Sequence, residues 1–394
     1  MKSARLITYA CYAAFISLGM CGTLLGPTFL NLTQRFNMPL EQAGIFTAFQ
    51  FGGSTLGVIV VGRLLDRFNA RYLLCGGVLL MGSGLLLLSS APSLPVALFS
   101  ALLLGLGYGT MDVSSNVVVA SLNPDRASVA LNALNVFYGL GAIIGPQLVN
   151  WALNLQNFTL AYTATAIFTL LLVIPFSRVS VHVHTGDRSA PRAAIRWVML
   201  MPFAALLFMY VGTEIGYSSW IFTQVTKVTL ATAAIGTLAA SSFFVGLTFG
   251  RMGASLILRW LTDQQLLIGS ILLIGLGVLL LLLVPGSEVV ALFSAFVAGV
   301  GSGPVFPTAL AMINNRNPES RGTASGVLMA IGTMGAVIVP WVQGQAGGGV
   351  NGGMIVILAA SILMLAAMLV IQRQGTGSPH IPTSIVEGES NVGR

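Results

Sequence analysis

Long, continuously apolar runs alternate along this chain with short polar or Pro/Gly-rich breaks; residues 73–88 (LLCGGVLLMGSGLLLL) are typical of the runs. The breaks leave twelve apolar segments, near residues 6–30, 42–62, 72–90, 96–121, 128–153, 158–177, 197–225, 232–258, 265–284, 289–313, 322–345 and 350–371. A helix that crosses a bilayer needs about 20 mostly apolar residues, so each segment predicts one crossing. A membrane β-barrel would instead alternate apolar and polar positions in stretches of roughly ten residues, and these runs do not. The pattern predicts an all-α membrane protein with twelve transmembrane helices.

The longest hydrophilic connection, residues 178–196, falls between the sixth and seventh segments. It predicts a six-helix bundle over 1–177, a cytoplasmic linker over 178–196, a second bundle over 197–372 and a disordered cytoplasmic tail over 373–394. The halves repeat one another at a constant offset of 194: GLGYG (Gly105, Gly107, Gly109) matches GVGSG (Gly299, Gly301, Gly303). Asn123-Pro124-Asp125 matches Asn317-Pro318-Glu319, and GAIIGP from Gly141 matches GAVIVP from Gly335. Parallel six-helix halves related about an axis along the membrane normal are an architecture of secondary transporters.

Composition agrees with the pattern. Hydrophobic residues make up 55% of the chain and charged ones 7%, against about 25% charge in an ordinary soluble domain, which excludes a water-soluble globule. The net charge of +7 comes from 18 Lys and Arg scattered singly between apolar runs, which argues against nucleic acid. With the N-terminus inside, only Arg35 and Lys227 of these 18 fall outside, as the positive-inside rule requires of cytoplasmic termini. The expected location is a bacterial cytoplasmic membrane. The segment after MKSAR has no clear cleavage site and reads as a retained first span. Cys11, Cys21 and Cys75 lie inside apolar runs without metal-ligand spacing, so no metal or cofactor is expected. No Ser/His/Asp set lies at one depth, and nothing suggests an enzyme.

Between the second and third segments stands GRLLDRFNAR. Its Gly62, Leu64, Asp66, Arg67 and Arg71 resemble the loop signature of the major facilitator superfamily. The resemblance implies that fold, and a gating latch in which Asp66 pairs with basic groups across the interface between the halves. The matching place in the second half keeps only Arg259 and Asp263. GAIIGP also resembles part of the antiporter signature of drug exporters, and its small residues would let the fifth and eighth helices approach closely. Pro304 and Pro307 predict a kink in the tenth.

Ionisable residues at membrane depth are costly and are functional candidates by default. Asp112 stands eleven residues before Asn123, about 16 Å up a helix from its inner end. Glu214 lies deep in the seventh segment, and Arg251 lies in the inner third of the eighth, where it could pair with an acid or snorkel to the surface. Asp112 and Asn116 share one helix face, as do Asn132 and Asn135. The stretch GLGYGTMDVSSN with LNALNVFYGLGAII is similar to the fucose/galactose/glucose:proton symporter branch of the superfamily, matching it at Asp112, Asn116, Leu131, Asn132, Phe137 and Gly141. Asn135 and Tyr138 stand where that branch has a glutamine and a deeper asparagine, and its aspartate in the first span has no counterpart here. YVGTEIGYSSWIF resembles the branch's seventh span, with Glu214 and Trp220 six apart.

Together these features suggest a transporter of a small neutral sugar or polyol, coupled to protons or sodium, working as a monomer in the lipid bilayer. Asp112 and Glu214 are the expected proton-coupling acids. Asn116, Asn132, Asn135, Tyr138, Gln50 and the stacking surface of Trp220 are the expected substrate contacts. A lipophilic-cation:proton antiporter and a non-transporting membrane sensor are the alternatives.

Overall fold

The structure is a computed structural model describing residues 2–65, 68–123, 127–178, 197–316, 321–346 and 349–375. Its regular elements are helical. The first half holds α1 (Lys2–Thr23), α2 (Leu25–Arg35), α3 (Gly44–Leu64), α4 (Ala70–Ser90), α5 (Leu94–Leu122), α6 (Ala127–Asn154), α7 (Thr159–Leu171) and α8 (Val173–Ser177). The second holds α9 (Trp197–Lys227), α10 (Ala233–Ile257), α11 (Asp263–Leu283), α12 (Glu288–Arg316), α13 (Arg321–Gln345) and α14 (Val350–Gly375). Among the described residues twelve spans are long and apolar enough to cross a membrane, so the protein is a multi-pass integral membrane protein. An even number of crossings returns both chain ends to one face.

The first and sixth crossings are each broken once. α1 stops at Thr23 and α7 at Leu171, each four residues before a proline, Pro27 and Pro175. A proline ring collides with the carbonyl four residues back and offers it no N–H, which accounts for both breaks. Pro304 and Pro307, expected to kink the tenth crossing, lie within α12, which runs unbroken from Glu288 to Arg316. Outward-facing Leu272, Leu276, Leu279 and Leu283 form one stripe of α11 at helical spacing, a surface suited to lipid.

The sequence repeat has a packing cause. A β-carbon added to Gly105 would lie 1.8 Å from the Gln50 carbonyl oxygen, one on Gly109 2.1 Å from that of Ser54, and one on Gly107 2.3 Å from the Met81 nitrogen. Only glycine lets α5 lie this close to α3 and α4. In the other half Gly299 meets the Phe243 carbonyl at 2.0 Å and Gly301 that of Ser270 at 2.5 Å, so α12 rides on α10 and α11 in the same way. The glycines of GAIIGP behave differently from expectation. Gly141 and Gly145 face Ile16 and Thr23 of α1, at 2.0 and 2.1 Å, not α10. Their counterpart Gly335 faces Phe208 of α9 at 1.9 Å. Of the glycines near that motif, Gly139 is the one turned to α10, 2.9 Å from Thr248 Oγ1.

Two seams join the halves: α3 with α13, and α6 with α10. Along the second, Gln147 Nε2 donates to Ser241 Oγ and Ser241 Oγ donates to the Ile143 carbonyl, both at 2.9 Å. At the face opposite the chain ends the halves meet backbone to backbone. A β-carbon on Gly26 would lie 2.6 Å from the Ser219 carbonyl oxygen, one on Gly44 2.4 Å from that of Pro340, and one on Gly344 2.0 Å from that of Glu41. Gln345 Nε2 also donates to the Glu41 carbonyl, at 3.1 Å. That face is shut.

Candidate transport site

A cavity of about 450 Å³ opens between the halves on the face that carries the chain ends. Asn132 and Asn135 of α6 form one wall; Arg251 of α10, Asp263 at the start of α11, and Phe306 and Thr308 of α12 form the other. Its size falls within the roughly 300–1,000 Å³ usual for small-molecule sites. Thr262 and Gln265 close a reciprocal capping box that fixes the start of α11, and so holds Asp263 at the rim. With one face shut and the other hollow, the molecule is open to a single side.

The expected site residues separate into three groups. Asn132 and Asn135 are exposed to the cavity, and Asn135 Nδ2 donates to the Leu131 carbonyl of its own helix at 3.0 Å, leaving its oxygen for a solute. Asp112 and Asn116 lie together on α5: Asn116 Nδ2 donates to Asp112 Oδ1 and to the Asp112 carbonyl, both at 2.9 Å. The structure thus joins Asp112 to Asn116, while the cavity lining includes Asn132 and Asn135 and neither Asp112 nor Asn116.

The second group centres on Arg251. Its expected snorkelling toward the membrane surface does not occur. Nε is buried without a hydrogen-bond partner, and Glu214, Tyr210 and Tyr138 lie within electrostatic reach of the guanidinium. Tyr210 Oη in turn donates to the Ser302 carbonyl at 2.8 Å. A charged head kept inside the protein beside an acid avoids the larger cost of standing alone in hydrocarbon. Close packing of α10 on α12 steers it there, since a β-carbon on Gly303 would reach within 2.5 Å of the Arg251 nitrogen.

Tyr138 belongs to this group too: its hydroxyl accepts from Tyr108 Oη at 3.3 Å. Tyr108 and Tyr210 were not singled out in the sequence, although each stands one helical turn before an acid, Asp112 and Glu214 respectively. That spacing was the available signal.

The third group lies off the cavity in this conformation. Trp220 is 3% exposed, donates from Nε1 to the Pro340 carbonyl at 3.0 Å, and meets Phe29 edge to face at 5.3 Å. It packs the closed seam and presents no open face to a sugar. Gln50 is buried with Nε2 donating to the Cys21 carbonyl at 3.1 Å, a bond that joins α3 to α1. Of the latch motif, Gly62 lies in α3, Asp66 and Arg67 lie outside the described residues, and the Arg71 N–H donates to Asn69 Oδ1 at 3.0 Å to cap α4. Most of the 178–196 linker, the tail beyond 375, and Pro124, Asp125, Pro318 and Glu319 of the repeated loop also lie outside them.

Two helical groups of like connectivity around a cavity that opens to one membrane face have the build of a membrane transporter. The sequence profile of the Major Facilitator Superfamily matches residues 11–340, and the chain belongs to that superfamily of transporters, which are not enzymes. Among its relatives, the "Glucose/mannose transporter GlcP" of Bacillus subtilis is 22% identical over 352 residues, 84% of this chain and 86% of that protein. The "Sodium-dependent glucose transporter 1A" of Mus musculus is 25% identical over 255 residues, 55% of this chain and 60% of that one, so this match spans less than two thirds of the mouse protein. Among solved structures, a mutant of the nucleoside transporter NupG superposes with a TM-score of 0.76 at 12% identity, covering 93% of this chain and 99% of that one. A bacterial homologue of the lysosomal transporter Spinster, in an inward-facing and occupied conformation, does so with a TM-score of 0.74 at 14% identity, covering 94% and 96%. At such identities these structures speak for the fold alone.

Proposed function

We propose that this transporter moves a small neutral polar solute, a sugar or polyol, by proton-coupled alternating access. The observation that carries the proposal is the cavity wall: two amides from one half face a hydroxyl and a guanidinium from the other, donors and acceptors suited to a polyhydroxylated solute. Arg251 stands near Glu214 and shares the wall with Asp263, so the cavity offers donors and acceptors together. The sugar-transporting relatives support the same class.

In this reading Asn132 and Asn135 bind solute hydroxyls, Asp112 carries the proton with Asn116 as its hydrogen-bond donor, and Gly62, Asp66, Arg67 and Arg71 act as the gating latch. Glu214 is the second proton-coupling acid. The chain-end face is cytoplasmic, following the distribution of Lys and Arg, and the working unit is a monomer in a bacterial cytoplasmic membrane.

The test is counterflow of a panel of radiolabelled sugars in proteoliposomes, with wild type and Asp112→Asn. Exchange needs no net proton release, so the variant keeps counterflow and loses uptake driven by a proton gradient. Loss of both in a folded variant reassigns Asp112 to solute binding; loss of neither, or no counterflow with wild type, overturns the reading. Uptake driven by a sodium gradient instead would replace the proton with sodium, as in the mammalian relative's name.

A further inference from the structure

We propose that Tyr108 and Tyr138 form a hydroxyl bridge that couples Asp112 in the first half of the molecule to the Glu214–Arg251 pair in the second. Where these acids act in transport, the inference rests on the proton-coupled reading above.

The bridge is built from four helices. Tyr108 and Asp112 stand four residues apart on α5 and so share one face. Across from them on α6, Tyr138 accepts the Tyr108 hydroxyl proton in a bond of 3.3 Å. Both hydroxyls are pressed toward α1, because a β-carbon on Gly22 would lie 3.2 Å from the Tyr138 oxygen and 3.6 Å from the Tyr108 oxygen. An added β-carbon at position 22 would crowd the Tyr138 hydroxyl and touch that of Tyr108. Beside Tyr138, Gly139 abuts Thr248, which lies one turn before Arg251 on α10, so this stretch of α6 borders the second half. Glu214, Arg251 and Asp112 are the charged groups within electrostatic reach of the Tyr138 hydroxyl.

Donor bookkeeping gives the bridge a direction. Tyr138 accepts from Tyr108, so its own proton points onward, and a carboxylate such as Glu214 has only acceptors to offer. The Tyr108 oxygen in turn keeps lone pairs for a donor, which Asp112 becomes when it carries a proton. A protonated Asp112 therefore suits a polarity that runs from Asp112 through the Tyr108–Tyr138 bond toward Glu214, whereas an ionised Asp112 removes its first donor. The other titratable groups facing this run are Cys21 beside Tyr108 and Tyr210 beside Glu214 and Arg251. Tyr138 on this view is a positioning residue; its contact is with the acids, not with solute.

The experiment is a double-mutant cycle read by difference infrared spectroscopy of the full chain in lipid, following the Asp112 carboxyl band through a pH titration. Asp112→Asn identifies the band by its loss. With both tyrosines present, Glu214→Gln should move the band's titration midpoint by about half a pH unit or more. In a Tyr138→Phe background the same replacement should leave it essentially unmoved, and Tyr108→Phe, which cuts the bridge at its other hydroxyl, should do the same. An equal displacement in all backgrounds means the acids sense each other through space, and no displacement in any means they are uncoupled; either result overturns the bridge. Sugar counterflow by the same preparations reads separately: its absence in wild type sinks the sugar reading and leaves the infrared comparison standing. Where wild type exchanges sugar, Tyr138→Phe should keep counterflow within about twofold and lose proton-driven accumulation. A strongly raised KM for exchange would make Tyr138 a solute contact and overturn the assignment.

Discussion

Trp220 of α9 is tied by its indole N–H to the Pro340 carbonyl of α13 at 3.0 Å while Phe29 of α2 closes over its ring at 5.3 Å. One side chain thus fastens two helices of the second half and seats a helix of the first on them. Trp220→Ala should loosen the shut face. An aromatic pair and a buried hydrogen bond are each worth about 1 kcal/mol, so the population open on that side should rise roughly tenfold or more. The labelling rate of Ser219→Cys by a membrane-impermeant maleimide measures it. An unchanged rate would mean that the backbone contacts alone keep the face shut.

Replacing Gly105 tests the packing origin of the repeat. Its added β-carbon would lie 1.8 Å from the Gln50 carbonyl, a backbone atom that cannot swing away. Gly105→Ala should lower stability by about 1–3 kcal/mol, seen as a lower thermal midpoint in detergent. Gly52→Ala is the control: nothing lies within 4 Å of that position, and the midpoint should hold or rise slightly.

Removing Arg251 should expose the cost of an unpaired acid. Arg251→Met removes the positive charge near Glu214, a loss that should lower stability by about 1–3 kcal/mol. The double variant Arg251→Met with Glu214→Gln should regain much of that loss. Chemical unfolding of the four proteins in mixed micelles gives the comparison; a double variant no more stable than Arg251→Met would show that the arginine stabilises the fold through Tyr210 and α12 instead.

Asn135 offers a test of the cavity wall with little risk to the fold, because it is exposed and bonds only to its own helix. Asn135→Leu should raise the KM for sugar exchange by roughly tenfold, the scale of one lost hydrogen bond, with an unchanged thermal midpoint. Asn132→Leu should act in the same direction. An unchanged KM in both would remove α6 from the binding surface.

Much of the architecture was legible in the sequence, because a lipid solvent reduces helix recognition to run length and composition. The glycine repeat also marked its helices correctly, since only hydrogen fits where two backbones touch. Side-chain direction was not legible. Gly141 and Gly145 carry the same letters whichever helix they face, and they turned toward α1. Trp220 has the depth expected of a sugar platform, yet a carbonyl of α13, four helices further along the chain, decides where its N–H points. Arg251 had enough reach to snorkel; the neighbours that hold its head inward lie on α9 and α6, far off in sequence. The tyrosines at one turn from each acid could have been found by spacing, but apolar surroundings made them look like packing.

The pairing of seams α3/α13 and α6/α10 bears on how the molecule avoids becoming a pore. Both seams stay packed while the cavity is open on one face, so they can serve as a fulcrum with the two faces as opposite arms. In the proposed alternating access, swinging the halves about that fulcrum to part Gly26 from Ser219 would bring Asn135 toward Arg251. A see-saw of this kind admits no position with both ends raised. On that proposal its mechanics would keep ions from leaking, with no need for a dedicated plug.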